Sequence, residues 1–255
     1  MQNKNKTVVK SMELLDLFRT NQKLSLNEMV HLSGIPKTSA HRMIGSLEEM
    51  GFLSKDAEGK YTLGMLFLEF GQLVAERLDM RKIAYPIMKD LRDEIGEAVN
   101  LTMKENKEVV YVEKLDTMHP VRLFTKIGRR SPLYTGACSR IILAYLPEKE
   151  QEDYLNETEL LPYAIGTITD KETLRSVLRK SRQDGYTISH SELENHTSSV
   201  AAPIFDHTGQ VAGGISVAGP DVRFQKEQLP TLIKKVKTAA ADISQKLGYS
   251  SPLRT

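Results

Sequence analysis

The chain has 255 residues, 40% of them hydrophobic and 27% charged, with a formal net charge of +2. That length suffices for one large domain or two modest ones with separate cores, and so weak a charge excludes a purely electrostatic coat for nucleic acid. A single cysteine excludes an internal disulfide framework and suits a reducing compartment.

Residues 8–20 read as a first helix, with Val8, Met12, Leu15, Leu17 and Phe18 available to a small core. The N-terminal stretch carries acids within an amphipathic pattern and has no signal-peptide core. No apolar run reaches the ~18 residues of a membrane span, because Glu69 interrupts the longest one around residues 63–75. A cytoplasmic protein without membrane contact is therefore expected.

Residues 24–64 read as a complete winged helix-turn-helix. Ser25 and Glu28 have capping-box spacing, in which hydroxyl and carboxylate each satisfy a backbone donor at a helix start. Leu26, Met29, Val30 and Leu32 give that short helix an apolar side. Gly34 permits a positive φ after its last turn, and Pro36 pushes Ile35 out of the α region. Across residues 37–50, Ala40, Met43, Ile44 and Leu47 form one core-facing stripe. The opposite side of the first turns carries Lys37, Thr38, Ser39, His41 and Arg42, at the end that a recognition helix pushes towards bases. Gly51 ends the helix. Residues 52–54 and 60–63 then read as strands around a turn-rich wing, where Lys55 and Lys60 suit phosphate contacts.

Helix pairs with a Gly-Pro break also occur in proteins that never meet DNA. Double-stranded DNA is favoured by the full order of capped helix, break, polar-headed helix and basic-tipped hairpin. Residues 1–64 carry only a slight positive balance, so one copy would hold phosphates weakly. A homodimer or a dimer of dimers on a palindromic operator is expected.

Residues 65–80 read as a linker helix. Met65, Leu66, Leu68, Phe70, Leu73 and Val74 cover more than one of its faces, which suits packing against a second subunit; packing on its own domain is the alternative. From residue 81 the pattern becomes mixed. A helix over 81–95, with Tyr85 and Pro86 near its start, precedes a hairpin of strands 98–104 and 109–114. A strand over 121–127 and residues 131–134 lead into a helix over 137–146, and shorter helices follow at 148–156 and 171–184. Strands at 186–191, 198–205 and 210–218 precede a closing helix over 226–247. The strands fall in hairpins rather than alternating with helices, so the fold class expected is α+β with a largely antiparallel sheet. The domains expected are the winged helix-turn-helix over 1–64, the linker over 65–80, and an effector-binding and oligomerisation domain over 81–255.

Several motifs together carry a family resemblance. Lys37-Thr38-Ser39-Ala40-His41-Arg42, Leu47-Glu48-Glu49-Met50-Gly51-Phe52 and Tyr61-Thr62-Leu63-Gly64 resemble the DNA-binding half of the IclR family of bacterial transcription regulators. The likeness continues through Gly96-Glu97-Ala98-Val99-Asn100-Leu101, Val109-Val110-Tyr111, Gly128 with Pro132-Leu133-Tyr134, and Thr167-Ile168-Thr169-Asp170. It ends in Gly185-Tyr186, Val200-Ala201-Ala202-Pro203 and Ser216-Val217-Ala218-Gly219-Pro220, and so spans nearly the whole chain. The resemblance implies a GAF-like C-terminal domain that binds a small-molecule effector.

Thr135-Gly136-Ala137-Cys138-Ser139 is a small-residue loop opening into a helix, whose free N–H groups and positive dipole end would suit a carboxylate effector. An ordinary helix cap is the plain alternative. By resemblance, the opposing wall comes from Thr197, Ser198, Ser199, Ser216 and Ala218. The chain departs from the usual family pattern at Cys138-Ser139-Arg140, His196, Ser199 and Ala218, which changes the volume and the donors of the pocket.

Cys138 lacks an ordered base, so a buried thiol suits it better than a nucleophile. His190, Glu192, Glu194 and His196 bunch closely enough to suggest metal ligation, but their stretch reads as a loop with solvated or pocket-lining roles. Gly209, Gly213 and Gly214 match no phosphate loop and suit a turn and a close strand contact. No catalytic residue, metal or cofactor is expected. The reading is a ligand-responsive regulator, with repression of an operon for organic-acid metabolism the expected mode. The alternative is a small-molecule enzyme or sensor whose helix-turn-helix serves protein contacts only.

Overall fold

A computed structural model describes residues 5–76 and 79–250, with the side chains of residues 74–76 and 79 also outside the description. The chain divides into two compact units, Met1–Leu78 and Asp79–Thr255.

In the first unit, helix α1 (Lys6–Asp16) runs into a short 3-10 turn (Leu17–Arg19). It begins two residues before the expected start because Asn5 Oδ1 caps it, accepting from the N–H groups of Thr7 and Val8. Only its C-terminal end is covered. Leu14, Leu15 and Phe18 are buried and Leu17 packs partly against them, whereas Val8 and Met12 are exposed, which corrects their expected place in the core.

Strand β1 (Leu24–Ser25), too short to show any period in the sequence, leads into α2 (Leu26–Ser33). The capping box is formed: the Ser25 N–H donates to Glu28 at 2.7 Å and the Glu28 N–H to Ser25 Oγ at 3.4 Å, an arrangement that stabilises a helix start by about 1 kcal/mol. Gly34 takes the left-handed conformation at φ 67°, where any other residue would be strained, and so turns the chain into α3 (Lys37–Glu49). Ala40, Ile44 and Leu47 of α3 are buried, Met43 is partly so, and Leu32 of α2 is exposed. Strands β2 (Leu53–Lys55) and β3 (Lys60–Leu63) form the wing, with β3 central between β1 and β2. Helix α4 (Leu66–Glu76) follows, and Phe67 docks it on the core of this unit, edge-on to Phe52 at 5.5 Å. Met65, Leu68, Phe70 and Leu73 are exposed in the single chain. Of the expected linker helix, residues 77 and 78 and the side chain of Val74 lie outside the described residues.

The second unit is one six-stranded antiparallel sheet covered on both faces. Its strands are β4 (Ala98–Glu105), β5 (Glu108–Leu115), β6 (Arg130–Pro132), β7 (Thr187–His190), β8 (Thr197–Phe205) and β9 (Val211–Pro220), in the order β6-β5-β4-β9-β8-β7. Helices α5 (Asp79–Ile95) and α9 (Leu229–Lys246) pack on one face, around Met88, Leu91, Val217, Val236 and Ile243. Helices α6 (Ala137–Tyr145), α7 (Glu148–Glu157) and α8 (Lys171–Asp184) supply the other face, around Ile141, Ile142, Leu155 and Leu174. Helix α5 starts earlier than expected and takes Pro86 into its interior, at the loss of one backbone N–H.

Residues 121–127 form no strand, contrary to the expectation. The outer edge of β5 is taken by β6, and the approaching chain joins that edge only at Gly128 and Arg129, whose backbone groups pair with Tyr111. The apolar residues that mimicked a strand, Val121, Phe124 and Ile127, are exposed.

Candidate DNA interface and effector cavity

The stripe that seats α3 in the core fixes which side faces outward. Lys37, Thr38, His41 and Arg42 are exposed and Ser39 is half-buried. Among the described residues, no side chain of these five has an ion pair or hydrogen bond within the chain. Arg19 and Lys23 of the same unit are instead paired with Asp16 and Asp56. The front of α3 thus carries polar and cationic side chains that no other described residue engages.

The wing is ordered by Asp56, whose carboxylate accepts from the Lys60 N–H and pairs with Lys23 at 2.9 Å. The Lys23 ammonium, helped by that N–H, holds the Asp56 carboxyl below the usual carboxylate range. Lys55 Nζ lies over the Tyr61 ring, 5.3 Å from its centre, and Lys60 is exposed.

In the second unit, a cavity of about 50 Å³ lies between the start of α6, the strands β8 and β9, and the loops before β6 and β8. Of the sequence-predicted effector residues, Gly136, Ala137, Cys138, Thr197, Ser198, Ser199, Ser216 and Ala218 line it. Thr135 and Ser139 do not. The Thr135 hydroxyl donates to the Pro132 carbonyl, and Ser139 Oγ meets Ser131 Oγ at 2.9 Å, turned away on the helix by its 100° step. Arg129 and Glu194 also line the cavity, with Asn100, Tyr111, Leu123, Thr125, Ser189 and Leu193. Of these, only Glu194 is within reach of the sequence, in a segment that reads as solvated or pocket-lining; the others come from irregular loops and from single positions of β4, β5 and β7. For Asn100 the only signal is a polar residue within the otherwise apolar stretch of β4.

Helix α6 approaches the sheet closely. A Cβ on Gly214 would lie 2.9 Å from the Cys138 carbonyl, so glycine is what lets this wall form. Cys138 Sγ meets Thr102 Oγ1 at 3.0 Å, and burial pushes its thiol up to about 11, so it stays protonated at neutral pH.

The Gly136 N–H donates to Glu192 Oε2 at 3.1 Å, and the same carboxylate pairs with Arg140, which is 1% exposed. The chain's own acid thus takes the N–H of Gly136, the residue that precedes the helix, while Ala137 and Cys138 of the first turn line the cavity. Arg140 also bonds Thr187 Oγ1 and the Ile188 carbonyl, and so ties α6 to β7 and the loop after it. His190, Glu192 and Glu194 turn to separate partners, Ser198, Arg140 and Arg129, rather than to a common centre.

The IclR helix-turn-helix domain profile matches residues 7–57, and that of the bacterial transcriptional regulator IclR C-terminal domain matches residues 72–245. The chain is 59% identical over 250 residues to the HTH-type transcriptional regulator KipR of Bacillus subtilis, covering 98% of this chain and all of that one. It is 29% identical over 244 residues to the regulator KdgR of Escherichia coli, covering 95% and 93% of the two chains. The crystal structure of the Thermotoga maritima IclR superposes with a TM-score of 0.82 at 33% identity, covering 95% and 99%.

Proposed function

The chain belongs to the IclR family of bacterial transcription regulators, with a DNA-binding helix-turn-helix and an effector domain, and on that premise we propose that it is an effector-controlled repressor of an operon for small-organic-acid metabolism. Its family is one of regulators and not of enzymes.

The observation that carries the reading is the outward front of α3, where Lys37, Thr38, Ser39, His41 and Arg42 have no partners among the described residues. Helix α3 enters the major groove with its N-terminal turns leading, and Lys55 and Lys60 of the wing hold the flanking phosphates. A cytoplasmic homodimer, or a dimer of dimers, sets two such helices on a palindromic operator, and the exposed Met65, just before α4, with Leu68 and Leu73 of α4 belong to the contact between subunits. Effector in the cavity favours one spacing of the two heads, a coupling of about 1–3 kcal/mol.

Two titrations test this. Anisotropy with labelled duplex from the region upstream of the protein's own gene should give an affinity that falls steeply with salt. In the second, Ser199→Leu, which fills the cavity, should abolish the response to effector. Operator affinity should stay within about twofold of wild type, because the substitution shares no partner with α3. A full response in that variant would mean the effector binds elsewhere.

A further inference from the structure

We propose that the second unit carries a further ligand site, separate from the cavity at α6, in the groove beside the end of β8. Its ligand is a small planar anion, an aromatic ring bearing one acid group.

The groove follows from the way the sheet ends. Strand β7 pairs with β8 only from Ser198 to Ala201, so beyond Ala201 that side of β8 has no neighbouring strand. An open edge of this kind invites an added peptide strand. Here the edge has no donor to give one. The Ser191 N–H bonds the Thr197 carbonyl, so alternate residues from Thr197 onward turn their backbone groups to the open side. Of these, Pro203 has no N–H, and Phe205 donates its own to Ser244 Oγ of α9 at 3.0 Å. With a peptide strand excluded, the groove of about 670 Å³ falls within the roughly 300–1,000 Å³ of small-molecule sites.

Its lining selects shape and charge. Ala202, Ala240 and Ala241 leave room, and three half-buried rings border it. Tyr145 meets Phe205 edge-on at 5.1 Å, and Phe205 meets Tyr249 at 4.9 Å. Small residues beside rings make a slot for a flat group, which gains by stacking. Lys237 is the one charged side chain among the described residues lining the groove. Its Nζ donates to the Asp184 carbonyl at 2.8 Å and lies 5.8 Å from the centre of the Tyr186 ring. No carboxylate pairs with it among the described residues, and that of Asp184 pairs with Lys180 instead. Gly185 makes the placement possible, since a Cβ there would lie 3.1 Å from Nζ and push it away. An ammonium has three donors, so two remain for an anion. The groove between α5 and α9 has no such preference, because Asp90, Glu94 and Asp242 line it together with Lys234 and Lys235.

The test uses the full-length protein and three probes: benzoate, benzamide with the same ring and no charge, and cyclohexanecarboxylate with the same charge and no flat ring. The chain has no tryptophan, so Tyr249→Trp puts a single fluorescent reporter in the groove. Benzoate should change its emission saturably and bind about tenfold more tightly than benzamide, the order of one charge-assisted hydrogen bond. It should also bind more tightly than cyclohexanecarboxylate. Lys237→Gln in the same background should bind benzoate and benzamide alike. Ala241→Leu, at an exposed helical position, should fill the groove and abolish the benzoate signal with the circular dichroism of wild type. Ser199→Leu, which fills the cavity at α6, should leave that signal unchanged, so the groove is tested apart from the effector reading. No saturable benzoate signal, benzamide as tight as benzoate, or saturation that survives Ala241→Leu overturns the proposal. Cyclohexanecarboxylate as tight as benzoate overturns the planar requirement. Emission that follows protein concentration without any probe gives the groove to a second copy of the chain, and overturns the proposal too.

Discussion

Replacing Arg42 with alanine should lower operator affinity by about a hundredfold or more while leaving the fold and effector binding intact. One bidentate arginine contact to a base is worth about 1–3 kcal/mol, and a symmetric dimer forfeits two of them. Arg42 is exposed on α3, so its removal disturbs no core packing. Competition with scrambled duplex tells what the guanidinium touches. If it reads a base, preference relaxes at one position of each half-site. If it neutralises a phosphate, all sequences weaken alike and the salt dependence flattens by about 0.9 for each phosphate left without its cation. Operator affinity unchanged by Arg42→Ala would remove α3 from the interface.

Glu192→Ala should be the most destabilising single change in the second unit. It strands the Arg140 guanidinium, 1% exposed, without a counter-charge, and leaves the Gly136 N–H without its acceptor. Removing one partner of a buried pair destabilises by about 3–5 kcal/mol. In a unit of this size that corresponds to a fall in Tm of roughly 10 °C by circular dichroism or calorimetry. Arg140→Met combined with Glu192→Leu should recover most of the stability, because two apolar side chains need no counter-charge. A Tm for Glu192→Ala within about 2 °C of wild type would show that water reaches the pair. Operator binding by the winged unit should persist in the variant below its transition.

The sequence carried local structure well wherever a residue type has one physical use. Ser25 with Glu28, Gly34 with Pro36, and the stripe of Ala40, Ile44 and Leu47 each allow a single arrangement, and the winged unit takes it. The antiparallel sheet was legible for the same reason, since hairpins and the small residues of β8 and β9 leave few pairings. What stayed hidden is long-range. Glu192 and Arg140 are 52 residues apart and Arg129 and Glu194 are 65 apart, and no periodicity relates such positions. The false strand at 121–127 has a kindred cause: alternation shows that a segment could pair, while only the sheet decides whether an edge is free. The apolar side of α1 misleads in the same way, because one chain leaves Val8 and Met12 uncovered.

Hydroxyl-radical footprinting of the purified protein on its bound duplex tests the central claim most directly. Two inverted half-sites should appear, their centres about one helical turn or a whole multiple of it apart, roughly 34 Å or 10 base pairs. Lys37→Ala and Arg42→Ala should each erase both protected windows. Protection that spreads evenly along the duplex, or that persists unaltered in both variants, would contradict recognition by α3.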